Sequence, residues 1–144
     1  MSVFSWPVRV YWEDTDGGAI VYYANYLRFL ERSRTEWLRA HGHSQRQLAR
    51  EPGILFAVVS LQVDYRAPAR LDDELAITCE PRAEGAASLR FAQRVYRAAG
   101  EPGARGLLVE ADVRVACVDA RSLRPRGLPQ FLLDAVSGGG VRGD

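Results

Sequence analysis

Three acids crowd into four positions, Glu13, Asp14 and Asp16, directly before the pair Gly17-Gly18 and the apolar, aromatic run AIVYYANYL. Carboxylates beside a chain reversal serve three chemistries: they chelate a cation, they order a solvated turn, or they act as base or nucleophile. The cation loop fails on spacing. A helix-loop-helix calcium site counted from Asp14 needs an acid or Asn at its fifth position, Gly at its sixth and Glu at its twelfth. Gly18, Ala19 and Asn25 stand there instead. The turn reading suits Asp, Thr and Gly, which are all turn formers. The continuation argues for more than a turn, because the chain runs straight from the glycines into apolar and aromatic residues. An acid is then expected at a partly buried helix N-terminus, where unpaired backbone N–H groups and the helix dipole favour negative charge. An oxyanion formed on a substrate gains from the same groups.

Other chemistries lack their residues. All 19 basic residues are Arg, so neither a Schiff-base nor a lysine-base mechanism is available. The chain contains no GxGxxG, P-loop, HExxH or GxSxG pattern. His41 and His43 stand together at the expected end of a helix, as partners for its C-terminal dipole. Cys79 and Cys117 fall on apolar strand faces in no metal-ligand spacing, which predicts buried, inert thiols.

The elements that must hold these residues follow from periodicity. Val8, Val10 and Trp12 alternate with Arg9 and Tyr11, which predicts a first strand. Tyr26, Leu30, Ser33, Trp37 and His41 then share one side of a helix, flanked by Leu27, Arg34 and Leu38. Asn25 is its expected N-cap and Gly42 its stop. A short helix is expected from Ser44 to about Arg50, ended by Pro52-Gly53. Four alternating runs follow. Leu55, Ala57, Val59, Leu61, Val63 and Tyr65 are expected on one face of the first. Leu75, Ile77 and Cys79 face inward in the second, Leu89, Phe91 and Val95 in the third, and Leu107 to Cys117 at every second residue in the fourth. The outer face carries Arg and Glu together with Tyr11, Leu108 and Val118, a mixture that suits water or another subunit. The fold class is therefore α+β, an antiparallel sheet covered on one face by a long helix.

The 144 residues are 47% apolar with a formal net charge of +1. A chain of this length buries about two-thirds of its unfolded surface. Bulk charge recruits neither nucleic acid nor membrane. No apolar run approaches the roughly 18 residues of a membrane span, and the start MSVFSWPVRV has no signal-peptide pattern. A cytoplasmic protein with free thiols is expected. Residues 1–136 read as one domain, with 137–144 as a disordered tail.

Asp16-Gly17-Gly18-Ala19-Ile20-Val21-Tyr22-Tyr23-Ala24-Asn25-Tyr26 resembles the active-site segment of hotdog-fold acyl-CoA thioesterases. The likeness is to the 4-hydroxybenzoyl-CoA thioesterase family and its Tol–Pal-associated bacterial branch. It continues through Leu30 to Glu36, Tyr65 to Asp73, Ser88 to Phe91 with Gln93, and Cys117 to Asp119, so it covers roughly residues 8–130. The resemblance implies a hotdog fold, in which an antiparallel β-sheet wraps one long α-helix. It implies dimers with shared active sites, often paired into tetramers, and no metal or cofactor. It places the catalytic carboxylate at Asp16 and the oxyanion donor at the backbone N–H near Tyr23. Ser88 and Arg124 match substrate-binding positions, and Arg82 is a further candidate for the coenzyme A phosphates. Two departures stand out. The Tol–Pal branch often has His where Tyr23 stands, and the basic cluster that precedes Ser88 in the hydroxybenzoyl enzyme is replaced by Gly85-Ala86-Ala87.

The expected reaction is hydrolysis of an acyl thioester of coenzyme A or of acyl carrier protein. Two other readings compete. One is dehydration of a hydroxyacyl thioester, which usually pairs an acid with His, whereas both histidines stand at the far end of the helix from Asp16. The other is a non-enzymatic thioester-binding or envelope-complex scaffold protein.

Overall fold

A computed structural model describes residues 3–98 and 106–138. Strand β1 (Phe4–Arg9) leads through a single 3₁₀ turn (Trp12–Asp14) to helix α1 (Asn25–Ala40) and helix α2 (Gln45–Arg50). Strands β2 (Ile54–Tyr65), β3 (Glu74–Glu84), β4 (Ser88–Arg97) and β5 (Leu107–Asp119) follow, and helix α3 (Gln130–Gly138) closes the described chain. The strands form one antiparallel sheet in the order β1-β3-β4-β5-β2. Helix α1 lies on the inner face. This is the expected hotdog architecture. Helix α3 reaches Gly138, so Ser137 and Gly138 are helical rather than part of a tail; residues 139–144 lie outside the described residues.

Helix α1 buries Tyr26, Phe29, Leu30, Ser33, Trp37 and Leu38, a stripe at helical spacing that faces the sheet. Two polar residues inside the core fix its position. Ser33 Oγ donates to the Ile77 carbonyl at 2.8 Å. Gln93 Nε2 donates to the carbonyls of Leu30 at 3.0 Å and Thr78 at 3.3 Å. A buried amide left unpaired costs on the order of 1–3 kcal/mol, so Gln93 fits in one register only. Asn25 is the first helical residue rather than the cap, because its side-chain amide is occupied elsewhere, on the Asp14 carbonyl. At the other end Gly42 takes φ +91° and its N–H donates to the Arg39 carbonyl, which is the expected stop.

Three strand expectations need correction. The first strand ends at Arg9, not Trp12, because Val10 N–H donates to the Asp73 carbonyl and the chain then turns into the 3₁₀ element. Strand β2 does not keep one face. Val58 pairs with Val115 and Ser60 with Arg114, so Val59 is the extra residue of a bulge. Phe56 and Val58 before the bulge, and Leu61, Val63 and Tyr65 after it, all pair with inward residues of β5. Leu55 and Ala57 therefore face the other way from Leu61, because one inserted residue reverses the alternation. Leu108 and Val118 are buried rather than outward. Leu108 sits at a second irregularity, where Val95 pairs with Val109 but Tyr96 with Leu107. Val118 pairs with Pro125 of the loop that follows β5.

With those two residues gone, the outer face of the sheet is a lattice of ion pairs. Glu110 accepts from Arg66 and Arg94, Arg90 bridges Glu84 and Asp112, and Arg114 reaches Glu84 at 3.5 Å. Arg66 and Arg94 hold the Glu110 carboxyl below its ordinary value of 4.5, and Arg90 does the same, more than any other group, for Glu84. A depressed carboxylate pKa adds stability that is present above the unfolded value and lost as the pH falls below it. Arg90→Gln is therefore expected to melt below the wild type at pH 7, with the gap closing as the pH drops below 4.5. Thermal melts across that range check it; a gap of constant size would refute the role given to the lattice.

Candidate active site

The loop between β1 and α1 is built around Asp14, not Asp16. Asp14 is 6% exposed. Its Oδ2 accepts from Tyr11 N–H at 2.8 Å, and its carbonyl accepts from Tyr22 N–H at 3.0 Å and from Asn25 Nδ2 at 2.9 Å. One residue thus ties the exit of β1 to the start of α1. Between those ties the chain makes a small hairpin. Thr15 bridges Val21, Asp16 N–H donates to the Ile20 carbonyl at 3.0 Å, and Gly17 and Gly18 take φ of +109° and +95°. Gly18 is required twice over, since a Cβ there would lie 2.3 Å from the Trp12 ring. The segment 67–73 clamps the hairpin: Val21 N–H donates to the Ala69 carbonyl, Leu71 N–H to the Ala19 carbonyl, and Ile20 bridges Arg70.

Asp16 stands in this frame with an exposed side chain. Among the described residues its carboxylate has no hydrogen-bond or ion-pair partner. Tyr23 lies just before α1, next to its N-cap Ala24. Its carbonyl accepts from Tyr65 Oη at 3.0 Å, and its ring is exposed and packs edge-on against Tyr65. Its backbone N–H has no acceptor among the described residues, and neither has that of Ala24. A carboxylate with no partner and the positive end of a 16-residue helix are thus held within one eight-residue loop.

A groove of about 410 Å³ begins one turn further along α1. Leu27, Leu30, Glu31 and Arg34 form one wall, and Phe56, Val58, Leu61, Val113 and Val115 the other. Gln45 and Phe56 continue into a smaller cavity of about 40 Å³.

The other expected site residues lie elsewhere. Ser88 begins β4, is buried, and pairs with Ala116. Arg124 is exposed in the loop after β5, its carbonyl accepting from Asp119 N–H. Both belong to the far end of the sheet. Tyr65, which holds Tyr23, pairs with Val109 of β5. Val109 and Ala116 are seven residues apart, which is roughly 23 Å along a strand. Arg82 is exposed on the outer face opposite Arg90, and no side-chain contact joins it to Ser88 or Arg124 among the described residues. One chain therefore brings Asp16 and Tyr23 together and leaves Ser88, Arg124 and Arg82 apart from them.

The histidines take no part here. His41 packs its ring on Trp37, and burial, with His43 beside it, pushes its pKa below the ordinary value. It is thus a poorer charged partner for the helix dipole than expected. His43 packs on Phe131. Both cysteines are buried and free, and burial raises their thiol pKa values, most of all for Cys79. Among the described residues no cluster of His, Cys, Asp or Glu is fit to hold a metal, and no helix is long and apolar enough to cross a membrane. Sequence reasoning missed the groove, with Phe56 and Gln45 in it. The signal was there in Gln93, a polar residue at an inward strand position.

The roles of the two loop acids separate by stability. Asp14→Ala leaves Tyr11 N–H unsatisfied, which costs about 1–3 kcal/mol, or several degrees of melting temperature for a chain of this size. Asp14→Asn keeps an acceptor and is expected to lose less. Asp16→Asn is expected to melt within about a degree of the wild type, since no partner is removed. Equal losses for Asp14→Ala and Asp16→Asn would return both acids to one ordinary turn.

Comparison with known proteins identifies the family. The family model described as the thioesterase superfamily matches residues 18–104, beginning two residues after Asp16. The acyl-CoA thioester hydrolase YbgC of Escherichia coli O6:H1 is 47% identical over 132 residues, 92% of this chain and 94% of that protein. The acyl-CoA thioesterase YbgC of Haemophilus influenzae is 42% identical over 127 residues, 88% of this chain and 89% of that protein. In fold, the crystal structure of a 1,4-dihydroxy-2-naphthoyl-CoA thioesterase from Synechocystis superposes with a TM-score of 0.84 at 22% identity, covering 94% of this chain and 96% of the other. With the family model matching more than half of its residues and a relative 47% identical over 92% of its length, this chain belongs to the thioesterase superfamily.

Proposed function

We propose that the protein hydrolyses acyl-CoA thioesters, with Asp16 as the reacting carboxylate and the Tyr23 backbone N–H as the oxyanion donor. The observation that carries this reading is the pairing of an unengaged carboxylate with an unengaged backbone N–H just before α1 in one loop, one helical turn from a groove. Similarity to proteins named for acyl-CoA hydrolysis supports it.

In this mechanism the acyl chain lies in the groove and the thioester carbonyl oxygen accepts from Tyr23 N–H. Asp16 either adds to the carbonyl carbon or takes a proton from the water that does. The negative charge moves to the carbonyl oxygen, where the N–H and the helix dipole stabilise it. The C–S bond then breaks, and the thiolate leaves without a dedicated acid. If Asp16 has added, water hydrolyses the resulting anhydride. Ser88, Arg124 and Arg82 are assigned to the nucleotide end of coenzyme A. We place the enzyme in the cytoplasm.

The distance between the two residue groups argues for a second copy of the chain. The sheet has two edges. Strand β1 offers six residues with Pro7 among them, and proline blocks edge pairing. Strand β2 offers twelve residues without proline and exposes Val58, Val59, Leu61 and Tyr65. Two β2 strands paired antiparallel about a two-fold axis bring the Tyr65 end of one chain beside the Ile54 end of its partner. Asp16 and Tyr23 of one chain then approach Ser88 and Arg124 of the other. A tetramer would add a second pairing of such dimers.

Incubation of the purified protein with an acyl-CoA and a thiol reagent tests the reaction. Release of thiol is expected, lowered about 10²–10⁴-fold in Asp16→Asn and largely retained in Tyr23→Phe, which keeps the backbone N–H. Binding without release would favour the scaffold reading, and full activity in Asp16→Asn would end the carboxylate mechanism. Sedimentation is expected to show a dimer or larger, and Leu61→Arg to shift it toward monomer; a wild type that runs only as a 16 kDa species would contradict the shared site.

A further inference from the structure

Arg34 sits in the groove without an ion-pair partner among the described residues, although Glu31 lines the same groove. One guanidinium N–H donates to Gln93 Oε1 at 3.0 Å, and the group lies 6.0 Å over the Phe91 ring. Gln93 is itself locked by the Leu30 and Thr78 carbonyls, so its oxygen can only aim at Arg34. A guanidinium carries five N–H donors, and the others have no protein acceptor among the described residues. Glu31, one turn back on α1, acts on it through charge but forms no ion pair with it. Burial pushes the Arg34 pKa down, the mark of a cation partly removed from water. The residue lines both the 410 Å³ groove and the adjoining 40 Å³ cavity, so it stands where the two meet, toward the end of the groove away from Tyr23. Its neighbours there are Phe56, Val115 and Gln45.

We infer that Arg34 reads the far end of the acyl group, and that the groove selects chains carrying a hydrogen-bond-accepting oxygen at that end. The inference rests on reading the groove as the acyl channel of a thioesterase. A plain hydrocarbon end would bury these donors without partners, at a cost for each. A hydroxyl or carboxylate oxygen would accept from them, and a carboxylate could accept two in parallel. Arg34 follows Tyr23 by eleven residues, about 16 Å along the helix axis. Its side chain leans back toward the helix N-terminus, so the span to bridge is shorter. At about 1.2 Å per bond of an extended chain, acyl groups of six to ten carbons reach about 6 to 11 Å, and the backward reach of the Arg34 side chain spans the rest.

The test measures kcat/KM for six-, eight- and ten-carbon acyl-CoAs, each with a plain, an ω-hydroxy or an ω-carboxy end. At one length or more, an oxygenated substrate is expected to exceed its plain counterpart by about tenfold, the discrimination of roughly one good hydrogen bond. A best ω-carboxy substrate identifies an ionic partner, and a best ω-hydroxy substrate a neutral one; both support the inference. Arg34→Gln is expected to bring the ratio to about one, and Arg34→Lys to retain part of it. Plain chains preferred at every length, or a ratio unchanged in Arg34→Gln, would overturn it. If Arg34→Gln does not fold, the wild-type series decides alone. No hydrolysis of any substrate would instead count against the thioesterase reading itself.

Discussion

The site depends on the burial of Asp14. Its carboxylate and carbonyl together take three donors, from Tyr11, Tyr22 and Asn25. A carboxylate out of water is costly unless its hydrogen bonds are supplied; Tyr11 N–H supplies one to the carboxylate, while Tyr22 N–H and Asn25 Nδ2 converge on the Asp14 carbonyl. That convergence sets where β1 stops, where α1 starts and how the hairpin between them projects. Asp16 is left exposed as a consequence. In the proposed mechanism structure and chemistry are thus divided between two acids two residues apart, and only the buried one has its conformation enforced by its hydrogen bonds.

The same logic holds the helix against the sheet. Ser33 and Gln93 are polar residues at positions where apolar ones would add more hydrophobic stabilisation. Their hydrogen bonds to Ile77, Leu30 and Thr78 remove the freedom of α1 to slide. Gln93 also orients Arg34. The groove beside α1 consequently has a fixed width, with its polar end in a fixed place.

Much of this was legible in the residues. Helix α1 announced itself by its stripe from Tyr26 to Trp37, and strands β3, β4 and β5 by alternation, because each buries one face only. The hairpin was readable because positive φ favours glycine and Gly17-Gly18 sits at the turn. Strand β2 was misread because a bulge leaves no mark in composition: Val59 looks like any strand residue. Leu108 and Val118 were misread for a related reason, since irregular pairing and a covering loop, not alternation, bury them. The loop acids were legible as a group, but which one is buried depends on donors from Tyr11, Tyr22 and Asn25 that only the folded chain brings together. Arg34 was hidden because its partner, Gln93, lies 59 residues away.

The remaining constraint is distance. Strand length separates the Asp16 loop from Ser88 and Arg124, and we propose for that reason that the substrate, with its reactive bond at one end and its phosphates at the other, spans two chains. Mixing two damaged chains tests this most directly. Asp16→Asn and Arg124→Glu are each expected to be slow alone at low substrate concentration. Unfolded together and refolded at equal amounts, half the dimers are mixed, and each mixed dimer has one site with both residues intact, so about a quarter of wild-type activity is expected. Recovery near that level supports a site shared between copies. A mixture no more active than the average of its parents would contradict it.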